Sequence, residues 1–125
     1  AIFLPETMFY LMDGNGKKIR FLVESKSRLR LENVEIINSR LEDHTPNLPY
    51  DMVVCRAFGS LEKIILGCSR LVGSAGKLIA MKGDMTKDEL FKARQLCADL
   101  TINRLKVPDL NSSRNIVEIL PQSPP

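Results

Sequence analysis

No apolar run in this 125-residue chain reaches about 10 residues, far short of the roughly 20 that a membrane-spanning helix needs. The N-terminus lacks the basic-then-apolar pattern of a secretory leader, so the expected compartment is the cytoplasm. The single histidine, His44, has no second histidine or cysteine near it, which argues against a transition-metal site. Cysteine is scarce and odd in number: Cys55, Cys68 and Cys97 stand far apart among apolar or small neighbours. That fits neither a disulfide ladder nor a C-x-x-C clip, and predicts reduced, mostly buried thiols. No internal repeat occurs, and no linker is long enough to divide the chain. What is present is a 44% apolar composition, sufficient for one domain with an ordinary core. Net charge is only +3, yet the stretch from Gly16 to Arg30 carries six cations (Lys17, Lys18, Arg20, Lys26, Arg28, Arg30) against Glu24 alone. Positive charge is concentrated where a polyanion could use it.

Apolar, β-prone runs alternate with segments of helical period, the pattern of a sheet with crossover helices. Strands are expected at Phe9–Asp13, Val34–Asn38, Asp51–Cys55, Lys77–Met81, Thr101–Lys106 and Ile116–Leu120, with helices from Gly16 to Arg30, Leu61 to Leu71 and Lys87 to Ala98. In the first helix Ile19, Leu22, Val23 and Leu29 fall near one face, as packing on a sheet requires. Gly14 and Gly16 loosen the turn after the first strand, Pro46 and Pro49 precede the third, Gly73 and Gly76 close the second helix, and Thr86 caps the third. The tail PQSPP, 121–125, cannot continue a ladder and is expected to be disordered. Strands followed by crossovers should be parallel, and the last two should form an appended antiparallel hairpin. This α/β pattern resembles the closing half of the Rossmann-like sheet of class I methyltransferases.

Asp13 ends a strand and precedes a flexible turn, the position from which an acid reaches a ribose in nucleotide-binding sheets. Asp before Gly is equally a common turn pair. A Rossmann-type site also uses a G-x-G-x-x-G loop in the preceding unit, and none stands before Asp13.

The segments LMDGNGKKIRFL, NSRLED, YDMVVCRAFGSL, GKLIAMKGDMTKDEL and LKVPDLNSSRNIVEIL resemble, in order and spacing, the bacterial small-subunit rRNA guanine-N7 methyltransferase family known as RsmG or GidB. The likeness covers nearly the whole chain, and CRAF together with AMKG is its most specific part. AIFLPE resembles the helix after the family's glycine loop, so residues 1–120 are expected to be a methyltransferase domain truncated at its N-terminus. The resemblance implies S-adenosylmethionine as methyl donor and small-subunit (16S) rRNA, free or in a ribosomal particle, as partner. It further implies that Asp13 approaches the ribose or methionine side of the cofactor, that Gly14 and Gly16 let backbone come close, and that Leu41 and Glu42 flank the adenine. Lys17, Lys18, Arg40 and Lys82 would contact RNA, and Arg56 would position substrate or cofactor. The family acts as a monomer; a truncated sheet could dimerise or exchange strands through unpaired edges.

The chain departs mildly from the family at Gly14, Lys18, Cys55 and Asn115, where Ser, Arg, Ser and His are common. Lys18 loses a bidentate fork but keeps its charge. Guanine N7 offers a lone pair with no proton to remove, so alignment rather than a general base is required, and the lack of a Cys/His or Ser/His/Asp set is no objection. Bland alternatives stand beside each residue: the lysines of the first helix as a solvated face, Lys82 paired with Asp84, Arg56 with Asp51 or Glu42, and Phe58 in the core. Two other readings stay open, a non-catalytic RNA-binding module and half of a nucleotide-dependent oxidoreductase. With the glycine loop missing, the 125 residues alone are expected to bind S-adenosylmethionine weakly and to show little activity.

Overall fold

The computed structural model describes residues 1–56 and 58–123; Ala57 of the RAF segment and residues 124–125 of the tail lie outside them. The chain forms two compact units, Ala1–His44 and Thr45–Pro125.

The first unit is a β-α-β element: β1 (Phe9–Asp13), α1 (Gly16–Arg28) and β2 (Val34–Asn38). Both strands occupy the expected residues and pair in parallel, Phe9 opposite Val34 through Asp13 opposite Asn38. Helix α1 stops at Arg28, before the expected Arg30, because the chain turns into a Schellman closure. Arg30 takes a left-handed φ of 51°, its N–H donates to Ser27 O at 3.2 Å, and Leu31 N–H donates to Lys26 O at 3.0 Å. Glycine usually fills that position. The apolar face of α1 is narrower than its spacing predicts: Ile19 and Leu22 are half-buried, while Val23 and Leu29 are exposed. Val34 is the buried apolar residue here, so little of this unit's stability comes from its own core. Asn33 ties down the N-terminal turns, its Nδ2 lying 3.1, 3.0 and 2.9 Å from the carbonyl oxygens of Ala1, Leu4 and Thr7.

The second unit contains β3 (Tyr50–Arg56), α2 (Leu61–Cys68), β4 (Val72–Lys82), α3 (Lys87–Leu96), β5 (Cys97–Leu105) and β6 (Arg114–Pro121). Its sheet has the order β3-β4-β6-β5. β3 and β4 are parallel, and β6 runs antiparallel to both β4 and β5, the expected parallel strands closed by a hairpin. Leu61, Ile64, Ile65 and Cys68 of α2 pack with Leu78, Ala80, Leu100, Val117 and Ile119 into one core.

Other boundaries also differ from the sequence reading, three of them for physical reasons. Gly73 and Gly76 belong to β4, which starts at Val72; helix α2 ends at Cys68 and passes through a 3₁₀ turn, Ser69–Leu71. The glycines mark an irregularity, since Tyr50 is opposite Val72 while Met52 is opposite Lys77. A Cβ on Gly76 would sit 2.7 Å from Val72 Cβ and 3.0 Å from Tyr50 O. Strand β5 begins directly at Cys97, four residues early, because Cys97 pairs with Pro121 and Leu100 with Ile119; tertiary pairing overrides the helical propensity of the run through Ala98. Pro121, expected outside the ladder, is the last residue of β6, beside the irregularity between Cys97 and Asp99, and a bulge tolerates its missing N–H. No described helix is long and apolar enough to cross a membrane.

Candidate functional site

Parallel pairing places the carboxyl ends of β1 and β2 side by side, the edge at which open α/β sheets bind ligands. Ser39 N–H donates to Asp13 O at 3.2 Å. The half-buried Asp13 carboxylate is oriented by its own turn: Oδ1 accepts from Asn15 N–H at 2.8 Å, while Asn15 Oδ1 accepts from Lys17 N–H at 2.9 Å and caps α1. Among the described residues Oδ2 meets the Lys18 ammonium at 3.7 Å, beyond hydrogen-bond distance. It can therefore accept from a ligand hydroxyl, so the donor chemistry of a ribose fits this group.

The expected neighbours divide. Gly14 has a packing reason: a Cβ there would lie 3.2 Å from Arg40 Cγ, so the bare backbone lets the Arg40 stem lie across the strand end. Gly16 opens α1 and a Cβ there would meet nothing within 4 Å. Neither has a positive φ. Half-buried Leu41 and exposed Glu42 sit in a 3₁₀ turn, Leu41–Asp43, directly after β2. Its Asp43 N–H donates back to Arg40 O at 3.2 Å. Lys17, Lys18 and Arg40 are exposed at this same end.

In the second unit, Arg56 ends β3 opposite Met81 of β4, so Arg56 and Lys82 lie at neighbouring carboxyl ends. Arg56 is exposed and has no ion pair among the described residues of its own unit, so Asp51 does not anchor it. Lys82 is the opposite case. Its ammonium donates to Gly59 O at 2.8 Å and pairs with Glu89 Oε1 at 2.8 Å, with both side chains only 17% exposed. The partner is Glu89, not the sequence neighbour Asp84. The same Glu89 Oε1 accepts from Leu61 N–H at 2.9 Å, so one carboxylate from the first turn of α3 serves the first residue of α2. Burial pushes the Glu89 carboxyl up, but the Lys82 ammonium and the Leu61 N–H together outweigh it and hold the group below its ordinary value.

Gly59 and Glu89 were not anticipated as parts of this end of the sheet. Gly59 has φ +122°, a conformation that side chains resist. Glu89 stands three residues after Thr86, whose Oγ1 accepts from Glu89 N–H at 3.1 Å. The T-x-x-E spacing of a capping box was the available signal, although here the carboxylate reaches a different helix. Asn115 donates to Gly83 O at 2.9 Å, which fixes the turn after Lys82. Among the described residues no group of three His, Cys, Asp or Glu is placed to hold a metal.

A protein-family model described as GidB, rRNA small subunit methyltransferase G, matches residues 1–117. The chain is similar to proteins named ribosomal RNA small subunit methyltransferase G. One, from Salmonella arizonae, is 36% identical over 119 residues, covering 95% of this chain and 58% of that protein. Another, from Alteromonas mediterranea, is 38% identical over 117 residues, covering 94% and 56%. The chain thus spans less than two thirds of the length of these relatives. Among solved structures, an rRNA methylase from Streptococcus thermophilus matches with a TM-score of 0.62 at 20% identity, over 97% of this chain and 78% of that one. TYW2 from M. jannaschii in complex with AdoMet matches with a TM-score of 0.63 at 17% identity, over 90% and 57%. At those identities the likeness is one of fold.

Proposed function

The chain belongs to the GidB family, rRNA small subunit methyltransferase G, and has the α/β fold of class I methyltransferases; on that premise we propose that it serves S-adenosylmethionine-dependent methylation of N7 of a guanine in small-subunit rRNA in the cytoplasm. The observation that carries this reading is the paired strand end of the first unit. There an oriented carboxylate, Asp13, lies beside the turn Leu41–Asp43 that follows the neighbouring parallel strand.

S-adenosylmethionine, when bound, supplies a methyl group activated on a sulfonium. Asp13 Oδ2 accepts from a ribose hydroxyl, and Leu41 and Glu42 border the adenine. In the second unit the exposed Arg56 guanidinium holds an RNA phosphate. Lys17, Lys18 and Arg40 add phosphate contacts. Lys82 acts indirectly, by anchoring Gly59 and the first turn of α2 rather than by spending its charge on RNA. The reaction needs no general base, since N7 presents a lone pair, and good alignment supplies on the order of 7–11 kcal/mol of barrier lowering.

Calorimetric titration of S-adenosylmethionine into this chain, extended to the length of its relatives, tests the reading. Asp13→Ala should weaken binding by about 10- to 100-fold, the loss expected for one charge-assisted hydrogen bond. Unchanged affinity would remove Asp13 from the site and the reading with it.

A further inference from the structure

The three cysteines are free, but two of them are not apart. Cys55, the residue before Arg56 in β3, and Cys68, the last residue of α2, stand with Sγ atoms 3.8 Å apart. Cys97 is elsewhere, buried at the start of β5 with its thiol donating to Ala93 O at 3.2 Å. A disulfide needs the sulfurs at about 2.05 Å, an approach of under 2 Å from the observed separation. Rotation of the partly exposed Cys55 side chain can provide much of that.

We infer that Cys55 and Cys68 are a peroxide-sensitive dithiol, a modification site in which Cys55 is oxidised first and Cys68 resolves. The two thiols differ in the way such a pair requires. Cys55 is half-buried and reachable from solvent, whereas Cys68 is 1% exposed and is reached by way of Cys55. The sulfur–sulfur hydrogen bond favours the thiolate at Cys55 despite the opposing effect of burial. The same contact, with burial, pushes the Cys68 thiol well up.

The chemistry balances. Cys55 thiolate attacks the distal oxygen of a hydroperoxide, the O–O bond breaks, and the remaining oxygen leaves as alkoxide or hydroxide and takes a proton. Cys68 sulfur then attacks the Cys55 sulfenic acid, the S–O bond breaks, and hydroxide leaves as water with the Cys68 proton. Two thiols lose two electrons in all, and the hydroperoxide gains them. The resulting bridge closes a ring through Arg56, Gly59 and Ser60, the turn held by Lys82.

The test is treatment of the reduced full chain with hydrogen peroxide, followed by intact-mass measurement and peptide mapping without reductant. The expected product is a monomer lighter by two hydrogens, with Cys55 and Cys68 peptides cross-linked, Cys97 reduced, and reversal by a dithiol. The bridge should form at least about tenfold faster than any oxidation of Cys97, as the difference in access requires. Cys55→Ser, a mild change at a half-exposed position, should leave Cys68 and Cys97 reduced at the same dose. In Cys68→Ala, dimedone should trap a sulfenic acid at Cys55. Cys97 reacting as fast, a sulfinic acid at Cys55 in the unaltered chain, or only chain-to-chain disulfides would each overturn the inference, and the mapping of the unaltered chain decides it even if a variant fails to fold.

Discussion

Lys82→Met keeps most of the aliphatic stem and removes an ammonium that makes two contacts, to Gly59 O and to Glu89 Oε1, both at 2.8 Å. Hydrogen bonds to charged groups contribute about 1.5–3 kcal/mol each, and breaking a buried ion pair by removing one partner costs about 3–5 kcal/mol. The two contacts share one ammonium and do not add, and 17% of each side chain remains exposed. A loss of about 3 kcal/mol in the second unit is therefore expected. Lys77→Met is the internal control. Its pair with Glu118 is as short, 2.6 Å, but 37% exposed on both sides, so it should cost no more than about 1 kcal/mol. The sign with pH follows from Glu89, whose carboxyl lies below its ordinary 4.5 in the folded chain. Its pairing contributes stability that is fully present above the unfolded value and is lost as pH falls through the folded one. In Lys82→Met burial acts on Glu89 with the Leu61 N–H as its remaining donor, so the carboxyl rises and protonation relieves the variant first. The gap between the two proteins should thus narrow as pH falls through the carboxylate range and leave a remainder from the Gly59 carbonyl. Urea unfolding with amide exchange at Leu61 measures it; a loss below about 1 kcal/mol, or a gap independent of pH, would refute the reasoning.

Gly16→Ala should raise stability by about 0.5 kcal/mol, because φ is not positive and the site is open. If Gly16 admits a ligand closely, S-adenosylmethionine affinity of the extended chain falls at the same time; unchanged affinity removes Gly16 from the site. Gly76→Ala should cost about 2 kcal/mol in a denaturation series, since the new Cβ would meet Val72 Cβ and the Tyr50 carbonyl; a neutral result would mean that the β4 irregularity yields easily. Arg56→Ala should leave stability within about 0.5 kcal/mol while reducing the slope of log affinity for RNA against log salt by about 0.7–0.9. An unchanged slope would take Arg56 off the RNA.

Strands β1 and β2 were legible to the residue because each is a short apolar run bounded by turn chemistry, Asp-Gly-Asn-Gly after one and Asn-Ser-Arg after the other. The sheet class was legible from the order of runs. Boundaries failed where long-range pairing decides: nothing local shows that Cys97 will sit opposite Pro121, or that Gly73 and Gly76 lie in a strand rather than after a helix. The role of Lys82 failed for a related reason. Sequence proximity favoured Asp84, but Thr86 starts a helix, and that helix turns Glu89 back toward the strand end. An exposed cation at a strand end and a committed one look alike in sequence; Arg56 and Lys82 are separated only by where Glu89 falls.

The cation-rich stretch shows the same limit in another form. Six positive residues between Gly16 and Arg30 read as one patch, yet α1 rises about 1.5 Å per residue, so Lys17 and Lys26 are separated by about 13 Å along its axis. Lys17 and Lys18 stand at the Asp13 end, where Lys18 is already drawn to 3.7 Å from the carboxylate. Arg28 belongs to the far end and is paired there with Glu24 at 2.7 Å, while Arg30 lies in the Schellman closure beyond it. A polyanion that engages both groups must run along the helix; one that enters only at the carboxyl ends of β1 and β2 meets Lys17, Lys18 and Arg40. Position along α1, more than the count of charges, decides which cations can share a ligand with Asp13.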